Sequence, residues 1–282
     1  MKTQYDENGY VVLKNFWSED LIHNWEQTII AVYHQQALKL KEIRKHFLKG
    51  LNPTDYDAVE DLDHVLTILE KEDKEAAYQA ILMCANSRAG RCLSTFSRLI
   101  DLCVTLLECP EELLFLDGPQ PFINLPSAKR LLYHWHQESC YYPKRRSFLN
   151  FWFPVFRDKT ARNGTMWFCK GSHDIRARQF IEYQGWDKET YNHKDHFIQY
   201  EVPEEELDQY EKVPVTLERG DVVVFHPDLV HSSTINESNT PSYATALRVW
   251  ECRRDLTLSG HMATKPYGAE DYGKPDIRPL TI

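Results

Sequence analysis

The segment Leu131-Leu-Tyr-His-Trp-His-Gln-Glu-Ser139 sets His134, His136 and Glu138 at alternate positions. On an extended strand all three side chains share one face, because successive residues point to opposite sides. Far downstream, His231 closes Gly220-Asp-Val-Val-Val-Phe-His-Pro-Asp-Leu-Val-His231, a turn, an apolar strand and a histidine at its far end. Two neutral imidazoles and one carboxylate from neighbouring strands form a facial set of three. That set leaves the other octahedral positions open, the arrangement of non-haem Fe(II) oxygenases. A cosubstrate and O2 can then both reach the metal, which a closed tetrahedral zinc site forbids. A three-histidine, cupin-like set of His134, His136 and His231 competes with this choice.

Positioning such a set requires strands, and the texture after Pro110 supplies them. Aromatic and β-branched runs alternate with Asp117-Gly118, Pro121, Pro126, Asn163-Gly164, Gly171 and Gly220-Asp221. The strands expected are 10–13, 130–138, 147–156, 164–169, 197–202, 213–217, 221–226 and 243–252, of antiparallel type and suited to a sandwich or barrel. Before Cys109 the pattern is helical. Ser18 with Glu19 and Asp20 caps a helix expected to run to about 48, a second starts at Thr54, and Glu75 to about Leu107 continues in the same style. Glu204-Glu205-Glu206 reads as a solvated helix start.

With 282 residues, 42% of them hydrophobic, the chain can bury a substantial core, which excludes extended disorder. Its net charge of −9 gives no footprint for phosphate backbones beyond the short run Lys144 to Arg146, so no nucleic-acid partner is expected. The seven cysteines are odd in number and lack C-x-x-C spacing, which points to neither disulfides nor zinc and to a reducing cytoplasm. No apolar run approaches the ~18 residues of a membrane span, and the N-terminus lacks the features of a signal peptide. Nothing in the pattern specifies an oligomeric state.

Several further motifs follow one another in order: Trp135-His-Gln-Glu138, Tyr141-Tyr-Pro143, Leu149-Asn-Phe-Trp152, Asn163-Gly164, Gly171-Ser-His173, Gly220-Asp221, Phe225-His226 and His231-Ser-Ser233. Together with the opening Gly9-Tyr-Val-Val-Leu13, they resemble the phytanoyl-CoA dioxygenase family of Fe(II)/2-oxoglutarate-dependent oxygenases over about residues 5–255. The resemblance implies a single oxygenase domain over 1–282. Its mostly helical part would be 1–109, its double-stranded β-helix (jelly-roll, cupin-like) core 110–256 and its tail 257–282. It implies His136, Glu138 and His231 as iron ligands, Ser233 as a 2-oxoglutarate contact, and Tyr141 and Trp152 as cofactor-pocket aromatics. The reaction implied couples oxidative decarboxylation of 2-oxoglutarate by O2 to hydroxylation of a small organic substrate, giving succinate and CO2. His134, His173 and Arg130 are candidates on the substrate side.

The chain departs from the family pattern twice. Glu138 stands where the family usually has Asp. The family also commonly places an arginine about 11 residues after the distal histidine to pair with the far carboxylate of 2-oxoglutarate, and here that position is Ser242. Arg248 takes this role if a longer loop precedes it; otherwise another cation must, with Arg130 in reserve. Should the cosubstrate site be missing, a non-catalytic binding protein on the same barrel, or a cupin-type metal enzyme without 2-oxoglutarate, becomes the reading.

Overall fold

A computed structural model describes residues 1–39, 59–72, 74–128, 132–142, 147–174 and 202–254. Two antiparallel sheets make its centre. The strands are β1 (Tyr10–Leu13), β2 (Leu114–Leu116), β3 (Gln120–Asn124), β4 (Phe148–Pro154), β5 (Met166–Cys169), β6 (Lys212–Pro214), β7 (Val222–Phe225), β8 (His231–Ser233) and β9 (Ser242–Glu251). The larger sheet runs β1-β7-β4-β9-β2, with β3 also on β9, and the smaller runs β6-β5-β8.

β4 is buried at every position because its two faces serve different cores. Leu149, Phe151 and Phe153 join Leu247 and Val249 of β9 in the cluster shared with the helices. Trp152 points the other way, toward Phe168 of the smaller sheet and Val223 and Phe225 of β7. The site is built on this second face, between the sheets.

The helices are α1 (Lys2–Asn8), α2 (Glu19–Ala37), α3 (Val59–Glu72), α4 (Lys74–Ala85), α5 (Arg88–Ser94) and α6 (Ser97–Leu107). Ser18 caps α2 as expected, its Oγ accepting from Leu21 N at 3.4 Å, with Glu19 and Asp20 in the positive first turn. Trp25, Ile29, Ile30 and Tyr33 of α2 are fully buried on the larger sheet. Trp25 also anchors there through its indole N–H to Thr245 Oγ1 at 2.8 Å. The helical stretch expected over 75–107 is three helices, because Ser87 and Phe96 each start a new one. α2 stops at Ala37, short of the expected end near 48, and residues 40–58, 175–201 and 255–282, with most of the strand expected over 197–202 and the C-terminal tail, lie outside the described residues.

The largest correction concerns the strand expected over 130–138, whose described part, 132–138, is not a strand. His136 N and O bond His231 O and N, each at 2.9 Å, while Ser233 N donates to Tyr133 O at 3.0 Å. Four residues, 133–136, thus oppose three, 231–233, and the extra residue bulges out of the ladder. The alternation that would put His134 and His136 on one face is lost there. Beyond Gln137 the chain turns into a 3-10 helix, Glu138–Tyr141, so Glu138 arrives from a turn and not from a strand.

Candidate metal centre

Among the described residues, His136, Glu138 and His231 form a group whose ligand atoms all lie within 4.8 Å of one another. Glu138 Oε2 is 3.9 Å from His136 Nε2 and 3.7 Å from His231 Nε2. Both rings are held in the same way. His136 Nδ1 lies 2.6 Å from the carbonyl of His134, and His231 Nδ1 lies 2.9 Å from the carbonyl of Leu229. A carbonyl only accepts, so each Nδ1 carries a proton and Nε2 is the ring nitrogen turned toward the centre. Such outer hydrogen bonds fix tautomer and orientation at metal sites. Burial, together with neighbouring His231, pushes the His136 imidazole down to about 3, which keeps it neutral and ready to ligate.

Two contacts deliver Glu138 from its turn. Gln137 Nε2 donates to Asp228 O at 2.6 Å, and Ser139 N donates to Pro227 O at 3.1 Å, which pins the turn to the loop before His231. The longer side chain of Glu138 lets its carboxylate work on both sides. Oε2 faces the imidazoles, while Oε1 accepts from Arg248 Nη2 at 2.6 Å. Burial alone would raise the Glu138 carboxyl, but Arg248 and His231 outweigh it and hold the group well below the usual carboxylate range.

Arg248 is itself largely covered, lies 5.1 Å from the ring centre of Tyr142, and pairs across strands with Asn150 of β4. Asn150 Nδ2, Asn150 Oδ1 and Arg248 Nε are buried without hydrogen-bond partners. Orphaned buried polar atoms are costly and call for an explanation. Three of them beside a ligand carboxylate fit a site that takes a polar molecule against its metal. The donor set itself, two imidazoles and one carboxylate with no thiolate, suits Fe(II).

A family model described as Phytanoyl-CoA dioxygenase (PhyH) matches residues 5–242. The chain belongs to the phytanoyl-CoA dioxygenase family. A curated relative, "Phytanoyl-CoA dioxygenase 1" of Oryza sativa subsp. japonica, is 32% identical over 117 residues, which are 40% of this chain and 37% of that protein. The matched segment therefore spans well under half of the relative's length. Among solved structures, EctD from S. alaskensis with 2-oxoglutarate and 5-hydroxyectoine superposes with a TM-score of 0.54 at 17% identity, covering 90% of this chain and 76% of that one. EvdO2 from Micromonospora carbonacea var. aurantiaca complexed with 2-oxoglutarate gives 0.52 at 16% identity, covering 89% of each chain. Likeness at these identities is one of fold.

Several residues singled out from this family's pattern come together around the centre. Tyr141 sets its ring edge-on to His136 with centroids 5.6 Å apart, and Trp152 lies on the inner face with Phe225, whose ring is 5.0 Å from that of His231. Ser233 follows His231 by two on β8, and its Oγ accepts from Tyr133 N at 2.7 Å. His134 is outside the metal group and contributes its backbone carbonyl, which removes the basis for a three-histidine set. His173 is not brought to the centre; its ring lies 5.4 Å from that of His226 and its Nε2 lies 3.0 Å from Asp6 O of α1. Arg130 lies outside the described residues. The motif text contained Asn150 without marking it, since an asparagine in an apolar strand shows its role only when its neighbours across the sheet are known. Lys159 was missed altogether, having no motif around it.

Proposed function

We propose that the chain is an Fe(II)- and 2-oxoglutarate-dependent dioxygenase that hydroxylates a small organic substrate. The observation that carries this is the convergence of His136, Glu138 and His231 with both Nδ1 atoms committed to carbonyls, in a chain of this family. His136, Glu138 and His231 would hold the iron. Bound there, iron and 2-oxoglutarate supply O2 activation, with the cosubstrate leaving as succinate and CO2 while the substrate gains one oxygen atom. The protein's part is to orient and to exclude water. Glu138 keeps one oxygen on the metal side, and Arg248 restrains the other so that the carboxylate does not swing. Phe225 and Trp152 wall the interior against solvent, and Tyr141, Trp152, Ser233 and Arg248 belong to the surroundings of the cofactor.

The fold that goes with this reading is a double-stranded β-helix in a single domain over 1–282. It is supported by two antiparallel sheets that share one inner cluster and by helices that share the core of the larger sheet. A cytoplasmic setting fits seven cysteines that are all free, with burial pushing Cys84 up to about 12 and Cys169 up to about 11. No helix among the described residues is long and apolar enough to cross a membrane.

The test is an anaerobic titration of the Fe(II)-loaded protein with 2-oxoglutarate, following the visible charge-transfer band of the chelate, with His231→Ala as control. A saturable band absent from the variant is expected. Iron that stays bound while wild type shows no band would overturn the proposal.

A further inference from the structure

Lys159 follows β4 and is 3% exposed. Its backbone bridges Leu217, and its side chain runs inward, with Nζ donating to Ser242 Oγ at 2.6 Å and to the Gly164 carbonyl at 3.3 Å. Ser242 Oγ in turn donates to Asn163 O. Nζ also lies 5.5 Å from the ring centre of Trp152. Among the described residues no carboxylate pairs with it, and burial alone pushes the ammonium down to about 7. A lysine is rarely buried without a counterion, because the charge loses its hydration.

The sheet register puts this cation at the inner end of the site. Ser242, Ala244, Ala246 and Arg248 share one face of β9, since they alternate along the strand. Arg248 is level with Asn150, and Asn150 with Phe225, the layer that touches His231. Ala246 is level with Trp152, one layer of roughly 6.7 Å further in. Lys159 approaches Trp152 from the far side, at the start of β9. Between the two ends, β9 presents only the methyl groups of Ala246 and Ala244 on this face. A five-carbon 2-oxo diacid spans roughly 5 Å between its end carbons, so one held at the metal by its oxo end reaches about to the layer of Trp152, from whose ring centre Nζ lies 5.5 Å.

We propose that Lys159, seated on Ser242, receives the far carboxylate of the cosubstrate, in place of the arginine that the family resemblance puts at position 242. The inference rests on the 2-oxoglutarate reading above and adds the residue that selects a diacid over a monoacid. Arg248, committed to Glu138 in the metal layer, is left to restrain that ligand. A carboxylate arriving at Nζ supplies the counterion the buried ammonium lacks, in a geometry where a charge-assisted hydrogen bond is strong.

The experiment compares 2-oxoglutarate with 2-oxovalerate, which chelates in the same way but lacks the far carboxylate. Dissociation constants are read from the anaerobic Fe(II) charge-transfer band and, independently, from the tryptophan fluorescence of the Mn(II)-loaded protein. Wild type should prefer the diacid by roughly 10- to 100-fold, the worth of one charged hydrogen bond. Lys159→Met should abolish that preference while binding 2-oxovalerate as wild type does. Lys159→Gln, which can still hydrogen bond to Ser242 and the Gly164 carbonyl, should lose the preference too, so the result does not hang on one variant folding. A preference kept in both variants, or lost in Arg248→Met instead, overturns the assignment of Lys159 and leaves the oxygenase reading intact. Failure of wild type to chelate either acid overturns both.

Discussion

Replacing Arg248 with Met removes a cation that touches Glu138 at 2.6 Å where the two side chains are only 15% and 12% exposed. The shape is nearly kept, so the consequence is electrostatic. Removing one partner of a buried pair costs about 3–5 kcal/mol, because the other charge stays buried and uncompensated. At roughly 2–4 °C per kcal/mol, the metal-free protein should lose on the order of 10 °C in Tm. A divalent ion between His136, His231 and Glu138 supplies positive charge on the other face of the same carboxylate, so saturating Mn(II) should recover much more stability in Arg248→Met than in wild type. Adding Glu138→Gln to the metal-free variant removes the stranded charge and should restore most of the loss, a coupling of about 2 kcal/mol or more. Thermal unfolding followed by circular dichroism, in chelator and in Mn(II), reads wild type, Arg248→Met, Glu138→Gln and the double variant. If Arg248→Met melts with wild type in chelator, or if the loss is the same with and without Glu138, the account of Arg248 as the restraint on the ligand carboxylate is refuted.

Gly164 sits at φ 77°, and a Cβ there would stand 2.1 Å from Asn124 Nδ2. Gly164→Ala should therefore cost at least about 1–2 kcal/mol in chemical denaturation, and an unchanged midpoint would count against this backbone geometry. Burial pushes the Lys159 ammonium down to about 7, against about 10.4 for an exposed lysine. Between those values the unfolded chain binds more protons, so wild-type stability should rise with pH across that window. Lys159→Met should lack that rise and match or exceed wild type near neutral pH; parallel pH profiles would show that the ammonium is not buried as described.

The three residues that the structure brings together, His136, Glu138 and His231, were legible in the sequence as a group, because they sit in an ordered series of motifs whose spacing survives in a linear reading. So was the strand content after Pro110, since aromatic and β-branched runs and Gly or Pro punctuation are local properties: β4, β5, β7 and β9 fall within or beside the expected runs. The start of α2 was equally local, set by Ser18 and two acids. Other features depended on pairing between distant segments. The bulge opposite β8 takes His134 off the metal face, and only the registration of 133–136 against 231–233 creates it. Arg248 sits one strand pair from Asn150 and within reach of Glu138, contacts that cross 98 and 110 positions of sequence and carry no local signature. Lys159 looks like any loop lysine until folding buries it against Trp152 and Ser242. Residue type and spacing thus determined which atoms can bind a metal, whereas the placing of charges around them was decided by the meeting of two sheets, where a buried ion has to take the partner the register brings it.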